Sequence, residues 1–173
     1  MIRKLLTLFF LLVAIPSFSF AEPPPDSPKE FVQAFYDWYL PLAAKGRGVP
    51  GSNYVLQHRQ SSFSPQLIHA LKEDSASQAK SPDEIVGLDG DAFLMSQDFA
   101  DQYLVSDVTQ KGDSFLVSLY GIQSGVKNEH PDVIAEIRLE KTHWVFVNFY
   151  DSDGANLLSI LKELKASRKK TQR

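Results

Sequence analysis

The stretch that decides the fold runs Val133-Ile134-Ala135-Glu136-Ile137-Arg138-Leu139-Glu140, then Lys141-Thr142, then His143-Trp144-Val145-Phe146-Val147-Asn148-Phe149-Tyr150. In its first half Val133, Ala135, Ile137 and Leu139 alternate with Glu136, Arg138 and Glu140, the period-two pattern of a strand with one face in water. The second half is apolar on both sides, with Trp144, Phe146 and Tyr150 on one and Val147 and Phe149 on the other, which predicts a central strand covered on both faces. Two residues separate the halves, so they pair as a hairpin. Working back, Gln102–Thr109 and Ser114–Gln123 carry the same branched and aromatic content. Lys111-Gly112-Asp113 and Ser124-Gly125 with Asn128 supply the turns. With the third strand begun at Pro131, the sequence predicts a four-stranded antiparallel meander.

Upstream the period changes. Ser27-Pro28-Lys29-Glu30 is a capping box with proline at the first helical position, where its missing N–H costs nothing. The helix it opens places Phe31, Phe35, Trp38 and Leu42 on one face with Val32, Tyr36 and Tyr39 beside them, a stripe wide enough to lie deep against a sheet, and Pro41 and Gly46 end it. Residues 45–53 read as a flexible loop and Tyr54–Arg59 as a short edge strand. Ser64-Pro65 opens a second helix reaching about Ser75, and Ser81-Pro82-Asp83-Glu84 repeats the capping box before a short helix ending near Leu88. Phe93, Leu94 and Phe99 are expected to be buried. At the other end Asp153 caps a helix from Ala155 to about Ser167, with Leu157, Leu158, Leu161 and Leu164 at helical spacing. Helices, then strands, then a helix define an α+β domain: N-terminal helices packed on a curved antiparallel sheet, closed by a C-terminal helix.

The flanks concern address more than fold. Arg3 and Lys4, the apolar run Leu5–Ile15, Pro16 and Ser19-Phe20-Ala21 are the three parts of a removable secretory signal over residues 1–21. A spanning helix needs roughly 20 apolar residues, more than this run provides. The expected location is the periplasm, or outside the cell, after cleavage near Ala21. Pro23, Pro24 and Pro25 make residues 22–26 an extended spacer, residues 27–167 form one domain, and residues 168–173 form a basic tail. The chain contains no cysteine, which excludes a disulfide framework and a lipid-bearing cysteine at the cut. A net charge of -3, more negative once Arg3 and Lys4 are gone, argues against nucleic acid as a partner.

No catalytic or metal motif is written in the chain. His58, His69, His130 and His143 are dispersed, without the i, i+4 pair that holds zinc on one helix face. Asp89, Asp91, Asp98 and Asp101, and Asp151 with Asp153, are oxygen donors of the kind calcium takes, but neither group follows a calcium-loop pattern and turn formation accounts for them. No metal or cofactor is assigned. The candidate binding residues are the aromatic set Tyr36, Trp38, Tyr39, Tyr54, Trp144 and Tyr150, because tyrosine and tryptophan join apolar area to one hydrogen-bonding group. Asp37 and Asp98 are the candidate carboxylates for any acid–base chemistry.

Phe31-Val-Gln-Ala-Phe-Tyr36-Asp-Trp38-Tyr39, Leu67 through Leu71-Lys72-Glu73-Asp74 and Asp89-Gly-Asp91-Ala92-Phe93-Leu94-Met-Ser96-Gln97-Asp98, in this order of elements, resemble the YbjP/YqhG-type family of bacterial envelope proteins, a domain of unknown function. The resemblance covers about residues 27–150. It implies a cystatin-like, nuclear-transport-factor-like cone, and it supplies no catalytic residues. Two departures stand out: many relatives are lipoproteins, whereas this chain has no cysteine, and Ala92 stands where proline is usual. The resulting expectation is a non-catalytic envelope module that binds a protein or a small apolar ligand through the cone opening or the sheet face. An immunity protein for a toxin is one version, and a homodimer through the sheet is another arrangement. The alternative is a small isomerase- or dehydratase-type enzyme using a buried carboxylate and a tyrosine.

Overall fold

The computed structural model describes residues 27–45, 51–98 and 100–171. The expected signal segment, the Pro-rich spacer, residues 46–50 of the loop, Phe99 and residues 172–173 of the basic tail lie outside them. The order is α1 (Pro28–Lys45), α2 (Gly51–Arg59), a short 3-10 turn (Gln60–Ser62), α3 (Pro65–Gln78), β1 (Gln102–Lys111), β2 (Ser114–Gln123), β3 (Val126–Lys127), β4 (Val133–Glu140), β5 (His143–Asp151) and α4 (Leu157–Thr171). The α+β architecture is as the sequence predicts. The sheet is antiparallel in the order β1-β2-β4-β5, with the two-residue β3 pairing β2 as well.

The turns lie where the residue types require them. Gly112 and Gly125 have φ of 62° and 80°, the left-handed region that glycine enters without a steric penalty. Ser124 and Lys141 share that region. Val117, Leu119, Val133, Ala135, Ile137, Phe146 and Phe149 are buried, and α1 packs over β1 and β2 while α3 and α4 pack on β5. Under this layer Phe31, Phe35, Tyr36, Tyr39, Phe63, Phe93, Phe146 and Phe149 form a continuous set of ring contacts, with centroids 4.7 Å apart for Phe31–Phe146 and 4.8 Å for Phe35–Phe146. Burying each phenylalanine contributes about 2 kcal/mol, so this cluster dominates the core.

Several details differ from the sequence expectation. Residues 51–59 form a helix rather than a loop and an edge strand: Val55 and Leu56 are buried together, and the His58 ring bonds the Tyr54 carbonyl one turn back at 2.9 Å. Pro41 lies inside α1, at an exposed position; having no N–H, it leaves the carbonyl of Asp37, itself an exposed residue, without its usual helix donor. Ser81-Pro82-Asp83-Glu84 starts no helix, because side chains of α3 take the backbone amides that follow it. β5 is an edge strand of the sheet rather than a central one. Its outer side is closed by Phe63, which bridges Phe146, and by the Ser64 amide donating to the Phe146 carbonyl at 2.8 Å. α4 is capped by Asn156, whose Oδ1 accepts from the Ser159 amide at 2.9 Å, while Asp151, not Asp153, organises the turn before it. That helix runs on to Thr171, so Arg168 belongs to the fold and not to a tail.

Candidate functional site

The six aromatic residues singled out from the sequence do not all converge. Four of them, Tyr36, Trp38, Tyr39 and Tyr54, lie along one run of ring contacts that passes through Phe35, and Trp144 and Tyr150 lie apart from it. Tyr36 and Tyr39, one turn apart on α1, are buried and point into the segment that precedes the sheet: Tyr36 Oη donates to the Phe93 carbonyl at 2.5 Å, and Tyr39 Oη donates to Asp91 Oδ2. Trp38 and Tyr54 stack between α1 and α2, with centroids 6.3 Å apart. Arg59 lies over the Trp38 ring at 4.9 Å, and His58 stacks on Tyr54 at 4.0 Å. Trp144 meets Phe115 edge-on at 5.5 Å near the start of β5. Tyr150 stands on the sheet face opposite the helices.

On the helix side the carboxylate that meets a tyrosine is Asp91, which the sequence reading assigned to a turn. Asp37 and Asp98, the candidates for acid–base chemistry, are both exposed. Asp91 Oδ1 accepts from the amides of Phe93 and Leu94 at 2.8 and 3.0 Å, and Oδ2 takes the Tyr39 hydroxyl. Burial pushes the Asp91 carboxyl above its ordinary value against those three hydrogen bonds, and burial, with the charge of Asp91, pushes Tyr39 far up as well. The packing is tight: a Cβ on Gly51, at the start of α2, would come within 2.7 Å of Tyr39 Oη, so a larger residue there would have to displace that hydroxyl. Clefts of ≈ 270 Å³ and ≈ 370 Å³ border Asp91, but its oxygens are committed to the protein's own donors. This arrangement fixes residues 91–96 as a plug in the core, with Ala92, Phe93 and Leu94 buried.

The other face of the sheet is open. Strand register puts Leu104 opposite Tyr120, Glu136 opposite Leu116, and Ile134 opposite both Ser118 and Tyr150. These alternate with the buried set and are half-buried or exposed, with Leu104 at 43%. The polar groups among them are held in place. Tyr150 Oη donates to Glu136 Oε2 at 2.5 Å, Ser114 Oγ donates to Glu136 Oε1 at 2.7 Å, and Lys111 Nζ is 3.6 Å from the same carboxylate. Burial alone would raise Glu136, but the bonds from Tyr150 and Ser114 and the charge of Lys111 outweigh it and hold the carboxyl below its ordinary value. A second cluster mirrors the first: Tyr120 Oη donates to Asp107 at 2.8 Å, and Lys127 Nζ lies 3.8 Å from the Tyr120 ring centroid. Tyr120 could have been found from its position in the second strand, where Leu116, Ser118 and Tyr120 share a parity opposite to Val117 and Leu119.

Among the described residues no three His, Asp or Glu side chains are grouped to hold a metal ion, and no helix is long and apolar enough to cross a membrane. No family model matches the chain, and no curated protein matches it. Among solved structures, the chain is similar to one in the crystal structure of the type VI native effector-immunity complex Tae3-Tai3 from Ralstonia pickettii. The identity is 15%, the TM-score 0.47, and the match covers 74% of this chain and 97% of that one. The two are similar at that level and no further.

Proposed function

We propose that this protein is a non-catalytic binding module that holds a partner protein on the open face of its sheet. The observation that carries the reading is the contrast between the two faces. One is sealed by a packed aromatic core with every buried side-chain polar atom bonded among the described residues; the other presents Leu104, Leu116, Tyr120, Ile134 and Tyr150 between fixed charges of both signs. A strand face of mixed apolar, aromatic and charged groups suits a protein surface better than a small apolar ligand, which needs an apolar concavity. Tyrosine with two rotatable bonds gives contact area at low entropic cost, and the carboxylate bonds to Tyr150 and Tyr120 lower that cost further.

The isomerase or dehydratase alternative requires a carboxylate free to face substrate. Asp91 is fully engaged by its own donors, Asp98 is exposed, and Asp37, which borders a cleft of ≈ 480 Å³ with Asp101 and Tyr103, is exposed and already accepts from Gln33 Nε2 at 2.7 Å, so the binding reading has the stronger support. The partner proposed is an exported or envelope protein, a toxin that the domain neutralises being one form of it, and the setting proposed is the periplasm. The leader sequence supports that setting, and the mass of the protein recovered from its cell tests it: a chain beginning at Glu22 is expected, and one retaining residues 1–21 contradicts it.

Binding is tested with a photo-crosslinking residue in place of Tyr120. A saturable adduct with one protein is expected, competed by the unlabelled chain and not by Ile134→Arg. An adduct competed equally by both chains, or no adduct, overturns the sheet-face reading. An adduct with a second copy of this chain replaces it with a homodimer.

A further inference from the structure

Residues 79–90 contain neither helix nor strand, yet six side-chain bonds from α3 and α4 hold them. Gln78, the last residue of α3, makes four of them. Its Nε2 donates to the carbonyls of Ser81 and Glu84 at 3.0 and 2.7 Å, and its Oε1 accepts from the amides of Val86 and Gly87, each at 2.9 Å. Asp74 Oδ2 accepts from the Leu88 amide at 2.9 Å, and Arg168 of α4 donates to the Val86 carbonyl and to Asp74 Oδ1, both at 2.7 Å. The Asp74–Arg168 pair is itself largely buried, with side chains 8% and 15% exposed. Gly87 sits so close that a Cβ there would meet Asp74 Oδ2 at 2.9 Å.

All of this fixes a tip that buries nothing. Pro82, Asp83, Glu84 and Ile85 are exposed, Ile85 to 69%. A single exposed apolar residue is ordinary. Val126, equally exposed at 69%, lies on a two-residue strand beside a turn and is of that ordinary kind. Ile85 differs because two helices converge to immobilise the backbone on its C-terminal side. A loop ordered before it meets a partner does not lose that entropy on binding, which is the physical gain such an arrangement offers.

We infer that the loop over residues 81–87 is a preformed protein-docking hook, with Ile85 as its anchor and Asp83 and Glu84 as its rim. The partner that fits presents an apolar pocket the size of an isoleucine side chain, bordered by lysine or arginine. Charge complementarity sets the second requirement, since Asp83, Glu84 and Asp89 outweigh Lys80 and leave the exposed loop acidic. The hook projects from the helix layer, formed by α3 and α4, and so is a surface separate from the open sheet face. It refines the binding-module reading without depending on that face.

Two measurements test it. Amide exchange at Val86, Gly87 and Leu88 is expected to be slow in the full chain and at least about tenfold faster in Gln78→Ala; exchange at the unprotected rate in the unaltered chain overturns a preformed hook. A photo-crosslinking residue is then placed at Ile85 in one sample and at Tyr120 in another, and the captured protein is purified for affinity measurement. The expected result is that Ile85→Asp weakens its binding by about 30-fold or more, Glu84→Lys by about fivefold through the on-rate, and Val126→Asp not at all. Crosslinking from Tyr120 alone overturns the hook and leaves the sheet face standing. Crosslinking from Ile85 alone, with those affinity losses, supports the hook and removes the sheet face. No adduct from either overturns both, and equal losses for Ile85→Asp and Val126→Asp overturn the hook.

Discussion

The two sides of the sheet use the same pair of groups, a tyrosine hydroxyl on a carboxylate, to opposite ends. On the helix side the buried Tyr39 meets the partly buried Asp91, and burial raises both groups. On the open side Tyr150 meets Glu136 beside Lys111, and the carboxyl is lowered. The first pair ties a loop into the core. The second orders a surface that nothing in the fold covers. Environment, not residue type, divides tyrosines committed to the core from those left on the open face.

The largest way to break this contrast is to remove Asp91. Asp91→Ala leaves the amides of Phe93 and Leu94 and the Tyr39 hydroxyl without their acceptor, and about 3 kcal/mol of stability is expected to go, read from urea unfolding. Asp74→Ala, which leaves Arg168 buried and unpaired, is expected to cost about 3 kcal/mol by the same assay. Glu136→Gln on the open face is expected to change stability by less than about 1 kcal/mol. A loss at Glu136 equal to that at Asp91 would erase the distinction.

Acid and alkali sharpen it. Tyr36 and Tyr39 have folded values above the ordinary 10.0, so the stability they contribute is complete below pH 10.0 and is lost as pH rises beyond it, where only the unfolded chain releases their protons. Absorbance near 295 nm should show these two hydroxyls ionising only as the protein unfolds. At the acid end the carboxylates have opposite signs. Asp91, raised above 3.8, favours folding below that value, and its contribution is lost as pH rises through its folded value; Glu136, lowered from 4.5, favours folding above 4.5, and its contribution is lost as pH falls through its folded value. Glu136→Gln should therefore flatten the acid loss of stability measured by urea unfolding, a smaller effect than either core substitution.

The sheet was legible because Val133, Ala135 and Ile137 alternate with polar residues and because Gly112, Ser124-Gly125 and Lys141 mark turns that the backbone realises with positive φ. The starts of α1 and α3 were legible from Ser27-Pro28 and Ser64-Pro65, whose hydroxyls do accept from the Glu30 and Leu67 amides. What local reading missed was set by distant groups. Ser81-Pro82-Asp83-Glu84 has the letters of a helix start, but Gln78 and Asp74 take the amides such a helix would use internally. Tyr54-Val55-Leu56 has strand-forming residues, yet two of them are buried together on a helix. The aromatic residues were legible as a set; their division between core and surface was not, since Tyr36 and Trp38 differ only in which side of one helix they occupy. Asp91 announced a turn and gave no sign that a tyrosine 52 residues away would close on it.

The measurement closest to the central claim compares affinities for the protein captured from the open face. Tyr150→Ala combined with Ile134→Arg is expected to abolish binding while leaving the stability read from urea unfolding within about 1 kcal/mol of the unaltered chain. Unchanged affinity in that folded double variant would contradict the account.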